Sequence, residues 1–111
     1  MPVLGDLERA VMDVLLARSE AVSVRDVHDE LSAGRDLAYT TVMTVLDRLA
    51  KKGVVARELF GRAWLYRPAT SRVDLYADTI VELLGDLLAA DRDAALARVE
   101  ASLGRRTSAA R

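Results

Sequence analysis

A helical period that gives way to a strand period across one glycine, a Gly-Arg turn soon after it, and a broad apolar stripe near the C-terminus together predict the fold class. It is mainly α with a small β wing: a winged helix-turn-helix over residues 1–70, followed by C-terminal dimerisation helices over 71–104. The glycine is Gly53, the turn is Gly61-Arg62, and the stripe runs from Val73 to Leu88.

Each element can be justified in order. The first helix is expected from about Asp6 to Arg18, with Leu7, Val11, Val14 and Leu15 on one face and Glu8, Arg9 and Asp13 on the other. Gly5, with Glu8 three residues on, can start it. Ser19 to Ala21 is a polar connection, and Val22 is read as a short first strand joining the wing. Ser23 followed by Asp26 resembles a capping box and opens a second helix of about two and a half turns. Val24, Val27 and Leu31 form its buried stripe, and Ser32, Ala33 and Gly34 end it.

After a connector, 35–38, the third helix runs to about Lys52. Val42, Val45, Leu46 and Leu49 fall at i, i+3, i+4 and i+7, so they form a single apolar stripe. Gly53 suits the left-handed position that closes a helix. Val54–Phe60 and Ala63–Arg67 are runs of β-branched and aromatic residues around Gly61-Arg62, a hairpin signal, and Pro68 closes the second of them.

The C-terminal third changes character. Ser71 with Asp74 opens a helix whose stripe comprises Val73, Ala77, Ile80, Leu84, Leu87 and Leu88, widened by Tyr76, Val81 and Leu83. One small winged domain cannot cover so wide a stripe. Asp91 is read as the cap of a last helix, Arg92 to Leu103, with Ala95, Leu96, Val99 and Leu103 apolar and Gly104 as its end. The small polar tail, 105–111, is expected to be disordered.

Composition excludes several function classes. The chain of 111 residues has no cysteine and one histidine, His28, which rules out a disulfide frame, a thiolate metal site and a histidine cluster. His28 borders the second helix's stripe and reads as a structural histidine. No glycine-rich phosphate loop or nucleophile with a neighbouring base is present, so no enzyme, metal or cofactor is expected. The start, MPVLGDLER, lacks the pattern of a signal peptide, and no apolar run approaches a membrane span, so a cytoplasmic protein with no membrane partner is expected.

A net charge of −1 argues at first sight against a nucleic-acid partner. Its distribution argues the other way. Arg48, Lys51, Lys52, Arg57, Arg62, Arg67 and Arg72 fall in one stretch with the single acid Glu58, while acids outnumber cations on both sides of it. A local basic face is what steers a protein onto phosphates. The polar face of the third helix shows Tyr39, Thr40, Thr41, Met43, Thr44, Asp47, Arg48 and Lys51. Small hydroxyls followed by cations suit a helix whose first half enters a major groove and whose second half meets phosphates. Arg62 at the wing tip is a further contact for backbone or a narrow minor groove. Trp64 and Tyr66 share a strand face and are read as core, and Arg57 and Arg67 as solvated strand positions. The candidate DNA-binding residues are therefore Tyr39, Thr40, Thr41, Met43, Thr44, Arg48, Lys51 and Arg62.

The stripe from Val73 onward is read as a dimer seam made by Val73, Tyr76, Ala77, Ile80, Leu83, Leu84, Leu87, Leu88, Leu96 and Val99. Its polar face carries Asp74, Asp78, Glu82 and Asp86, where a membrane binder would carry lysine and arginine. A symmetric dimer matches a palindromic operator. Two other readings stand beside this one: a winged-helix protein-interaction module, and a regulator with a ligand between its C-terminal helices.

LGDLERAVMDVLL, SVRDVHDEL, AYTTVMTVLDRLAKKG and GRAWLYRPA resemble the penicillinase repressor family of bacterial transcriptional regulators, the BlaI/MecI/CopY type, over Leu4 to Ala69. The resemblance implies a homodimeric repressor on an inverted-repeat operator, controlling β-lactam-resistance-type or stress genes. It also implies release by a sensor protease that cuts the dimerisation region. Thr40, Thr41, Met43, Thr44 and Arg48, with Arg62, match the family's DNA-facing positions. Two departures bear on regulation. The Asn-Phe bond cut in well-known members has no counterpart around Arg98-Val99, and the cysteines of copper-responsive relatives are absent. The C-terminal region is also shorter than usual for the family, so a dimer that is weaker or held by fewer helices is expected.

Overall fold

A computed structural model describes residues 4–109. Its elements run α1 (Asp6–Leu16), β1 (Val22–Ser23), α2 (Val24–Ser32), α3 (Tyr39–Lys51), β2 (Val55–Phe60), β3 (Ala63–Pro68), α4 (Arg72–Leu84) and α5 (Ala89–Ala109). The three strands form one antiparallel sheet in the order β1-β3-β2, so the short strand before α2 does join the wing.

Local chemistry accounts for the helix ends. At α1 the Glu8 carboxylate reaches back to accept from the Gly5 N–H at 3.2 Å. At α2 the box is reciprocal: Ser23 Oγ accepts from the Asp26 N–H at 3.1 Å, and Asp26 accepts from the Ser23 N–H at 3.2 Å. Helix α3 closes with Gly53 at φ +83°, the Val54 N–H donating to the Leu49 carbonyl and the Gly53 N–H to that of Ala50. That is a Schellman ending, and only glycine takes its left-handed position without strain.

The core lies between α1, α2, α3 and the inner face of the sheet. Val42, Val45, Leu46 and Leu49 are all buried, as their spacing requires, and meet Val11, Val14 and Leu15 from α1, Val24 and Val27 from α2, and Val55 and Tyr66 from the hairpin. Met12 is also fully buried, which the narrower stripe read for α1 omits. A charged contact ties α1 to the end of α3: Lys52 Nζ sits 2.7 Å from Glu8 Oε2, with both side chains largely shielded from solvent. Burial raises the Glu8 pKa, but the Lys52 hydrogen bond, the Gly5 N–H and the charges of Lys52 and Arg48 outweigh it and hold the carboxyl below its ordinary value.

Several sequence expectations need correction. Helix α1 stops at Leu16, and Arg18 beyond it pairs with Glu30 of α2 at 2.6 Å. Helix α5 starts at Ala89, so Asp91 lies in its first turn, where its charge favours the helix dipole, and does not cap it. Gly104 does not end α5, which continues to Ala109. Thus 105–109 are helical where disorder was expected, and 110 and 111 lie outside the described residues. Gly104 has no positive φ, and the cost of one interior glycine, about 1 kcal/mol, is offset by helix-forming neighbours and by Arg106 in the last turn.

Candidate nucleic-acid interface

With its apolar stripe consumed by the core, α3 turns the opposite face outward. Tyr39, Thr40, Thr41, Met43, Thr44, Arg48 and Lys51 are all exposed on it. The helix begins at Ala38 with no side-chain cap, so the early threonines do not serve as caps. Thr44 is partly committed: its hydroxyl donates to the Thr40 carbonyl at 3.0 Å, leaving its lone pairs as acceptors. Thr41, Thr44 and Arg48 line an open groove shared with the start of α1.

His28 pins the entry to this helix. Its Nε2 lies 2.6 Å from the Leu37 carbonyl, which can only accept, so that nitrogen carries the hydrogen; Ser32 Oγ lies 3.1 Å from the same nitrogen. The imidazole also meets the Tyr39 ring edge-on, with centroids 5.7 Å apart. The histidine thus holds the connector between α2 and α3, and Tyr39 with it.

The wing is a two-residue hairpin. Gly61 has φ +64° while no non-glycine residue among the described residues has positive φ, the signature of a type II′ turn with glycine first and Arg62 second. Arg62 stands at the exposed tip beside Phe60, which is 75% exposed, and Leu59 is exposed next to it. The sequence reading missed these apolar tip residues, because strand alternation assigns faces and does not show where the core ends.

The basic stretch is less basic in three dimensions than along the chain. Lys51 lies 3.1 Å from Asp47, Arg57 is 3.3 Å from the same carboxylate, Lys52 is held by Glu8, and Arg72 reaches Asp13 at 2.8 Å. Arg48, Arg62 and Arg67 make no ion pair among the described residues; Arg48 lies on α3 and Arg62 at the wing tip. Trp64 also departs from expectation. Tyr66 is buried, but Trp64, read as core beside it, is 42% exposed, with the Arg57 guanidinium 4.5 Å from its ring centroid. The strand face they share leaves the core partway along, between positions 66 and 64.

Helices α4 and α5 and the turn between them carry the proposed seam; α4 ends at Leu84 with Gly85 as its C-cap, so Leu87 and Leu88, read as the end of its stripe, lie in that turn. Val73, Tyr76, Ala77, Ile80, Leu83, Leu87, Leu88, Leu96 and Val99 are exposed and Leu84 is half-buried. Ile80, Val81, Leu84 and Leu96 line a shallow, mostly apolar cleft of about 260 Å³ between the two helices. What anchors α4 is Leu75, buried in the winged domain's core, together with the Arg72–Asp13 pair. Leu75 is absent from the sequence-derived stripe, since it sits on the side of α4 facing away from that stripe. No helix is long and apolar enough to cross a membrane among the described residues, and no cluster of three metal-ligating side chains occurs among them.

The chain is similar to known proteins. The family model for the penicillinase repressor matches residues 4–106. The transcriptional regulator BlaI of Mycobacterium tuberculosis, in strains H37Rv and CDC 1551, is 58% identical over 81 residues, which make up 73% of this chain and 59% of that protein. The chain thus spans about three-fifths of the length of these relatives. The Bacillus licheniformis BlaI monomeric form, solved in complex with the blaP half-operator, superposes with a TM-score of 0.55 at 33% identity, covering 66% of this chain and 88% of that one. The hsRosR-S1 complex gives a TM-score of 0.57 at 26% identity over 97% of this chain and 96% of that one. By its fold, its threonine-bearing third helix and the extent of these matches, the chain belongs to the penicillinase repressor family of transcriptional regulators.

Proposed function

We propose that this chain is a sequence-specific transcriptional repressor that binds a palindromic operator as a homodimer. One observation carries the reading: every apolar residue of the α3 stripe is spent on the core, which leaves Thr40, Thr41, Met43, Thr44 and Arg48 together on an exposed face of a rigid helix. Threonine hydroxyls and the Met43 side chain can meet base edges and thymine methyls in a major groove. Arg48 and Lys51 follow toward phosphate, and Arg62 reaches the flanking backbone or minor groove from the wing tip.

The exposed α4 and α5 stripe supports the second half of the proposal. A second copy covering Val73, Ile80, Leu83 and Leu88 would remove that surface from water and set two copies of α3 one DNA turn apart, or a multiple of it. Repression then depends on assembly, and anything that separates the copies releases the operator. A sensor protease is the releasing partner the family suggests.

The test is a titration of labelled duplex at several salt concentrations. The tightest palindrome selected from a randomised pool should bind well above random sequence, with log affinity falling steeply against log salt. Equal binding to both duplexes would favour the protein-interaction reading.

A further inference from the structure

The hairpin register makes Arg57 and Trp64 diagonal neighbours, since Arg57 pairs with Tyr66 and Leu59 with Trp64. The guanidinium of Arg57 lies over the indole, 4.5 Å from its centroid, and its NH1 donates to Asp47 Oδ1 at 3.3 Å. Asp47 belongs to α3, next to Arg48, and its other oxygen is 3.1 Å from Lys51 Nζ. One planar cation therefore has its face on the wing and its edge on the recognition helix. A flexible ammonium cannot make both contacts in this way.

We propose that Asp47, Arg57 and Trp64 are positioning residues: a strut that sets the angle between the wing and α3, so that Arg62 and the threonine face meet one duplex in register. The inference rests on the DNA reading above. Its mechanical basis is leverage. Gly61 lies four positions beyond Arg57, about 13 Å of strand, so a tilt of about 10° at the root moves the tip by about 2 Å. Hydrogen bonds do not tolerate such a shift. The strut also explains an acid on a DNA-facing helix, because the Asp47 charge is shared by two cations and its repulsion of phosphate is muted.

Trp64 is the chain's single tryptophan, so its fluorescence reports the strut directly. In the full chain, Arg57→Lys keeps the charge and loses the planar face, and Asp47→Asn loosens the helix end of the strut. Both variants should redden Trp64 emission and raise its quenching by acrylamide, with the thermal midpoint unchanged. On the tightest palindrome from a randomised duplex pool, preference over random DNA should fall about fivefold, while the salt slope stays at the wild-type value. Wild-type emission in both variants would overturn the strut, as would Arg57→Lys binding with undiminished preference. Arg57→Ala lowering the salt slope by about 0.9 would make Arg57 a phosphate ligand and refute the positioning role. If the wild-type protein prefers no palindrome, the DNA reading fails, and the fluorescence of the free protein still decides whether the strut exists.

Discussion

The winged half and the C-terminal helices of this chain use the same apolar periodicity and reach opposite outcomes. In α3, Leu46 and Leu49 are wholly buried; in and just after α4, Val73 and Leu88 are each 77% exposed. Helical spacing determines which side chains share a face, and only another surface can determine whether that face is covered. The winged half supplies its own cover, because three helices and a sheet converge. The C-terminal helices do not, and the chain is extended accordingly: its Cα radius of gyration is 16.9 Å, where about 13 Å is usual for a compact chain of this length.

Four changes would break or sharpen this contrast. The largest effect is expected from Leu83→Asp combined with Ile80→Asp. If a second copy covers the stripe, sedimentation should show a monomer with an unaltered winged half, and operator affinity should fall by about 10²–10⁴ as the linkage of two half-sites is lost. Unchanged mass would show that the stripe has another role. Next, Leu49→Ala should cost about 2–5 kcal/mol in urea unfolding, against no more than about 0.5 kcal/mol for Leu88→Ala measured on the dissociated double variant. Similar costs at the two sites would erase the distinction drawn between them.

Third, Arg48→Ala should weaken operator binding by about 1–3 kcal/mol if the side chain reads a base, and leave folding intact. A titration that matches wild type removes Arg48 from the interface. The smallest effect concerns Glu8 and Lys52. Because the folded state holds the Glu8 pKa below its ordinary value of 4.5, its contribution is complete above that pH and is lost as pH falls through the depressed value. Glu8→Gln should therefore cost about 1 kcal/mol near neutrality, and the gap from wild type should close in acid melts below about pH 4.5. A gap that persists there would assign the loss to packing.

Most of the winged fold was legible because its signals are local. The α3 stripe, the Gly53 ending, the Ser23 cap and the Gly61-Arg62 turn each depend on residues within a few positions of one another. The exposed face of α3 was legible for the same reason, being what remains once the stripe is assigned. The charge argument fared less well. Arg57, Lys52 and Arg72 looked like a free basic stretch, yet their partners are Asp47, Glu8 and Asp13, and the last two lie 44 and 59 residues away. Trp64 looked like core because it shares a face with Tyr66, but the core ends between them. Leu75 was missed because it faces the winged domain and not the stripe.

The sequence by itself determined the helix faces, the turn chemistry and the set of side chains that α3 leaves for a ligand, since backbone preference and periodicity act over a few residues. Only the tertiary structure decided which cations remain unpaired among the described residues, that the strand face of Tyr66 leaves the core before Trp64, and that Asp47, Arg57 and Trp64 meet. Those outcomes depend on contacts between elements far apart in the chain, which backbone preference and periodicity over a few residues do not report.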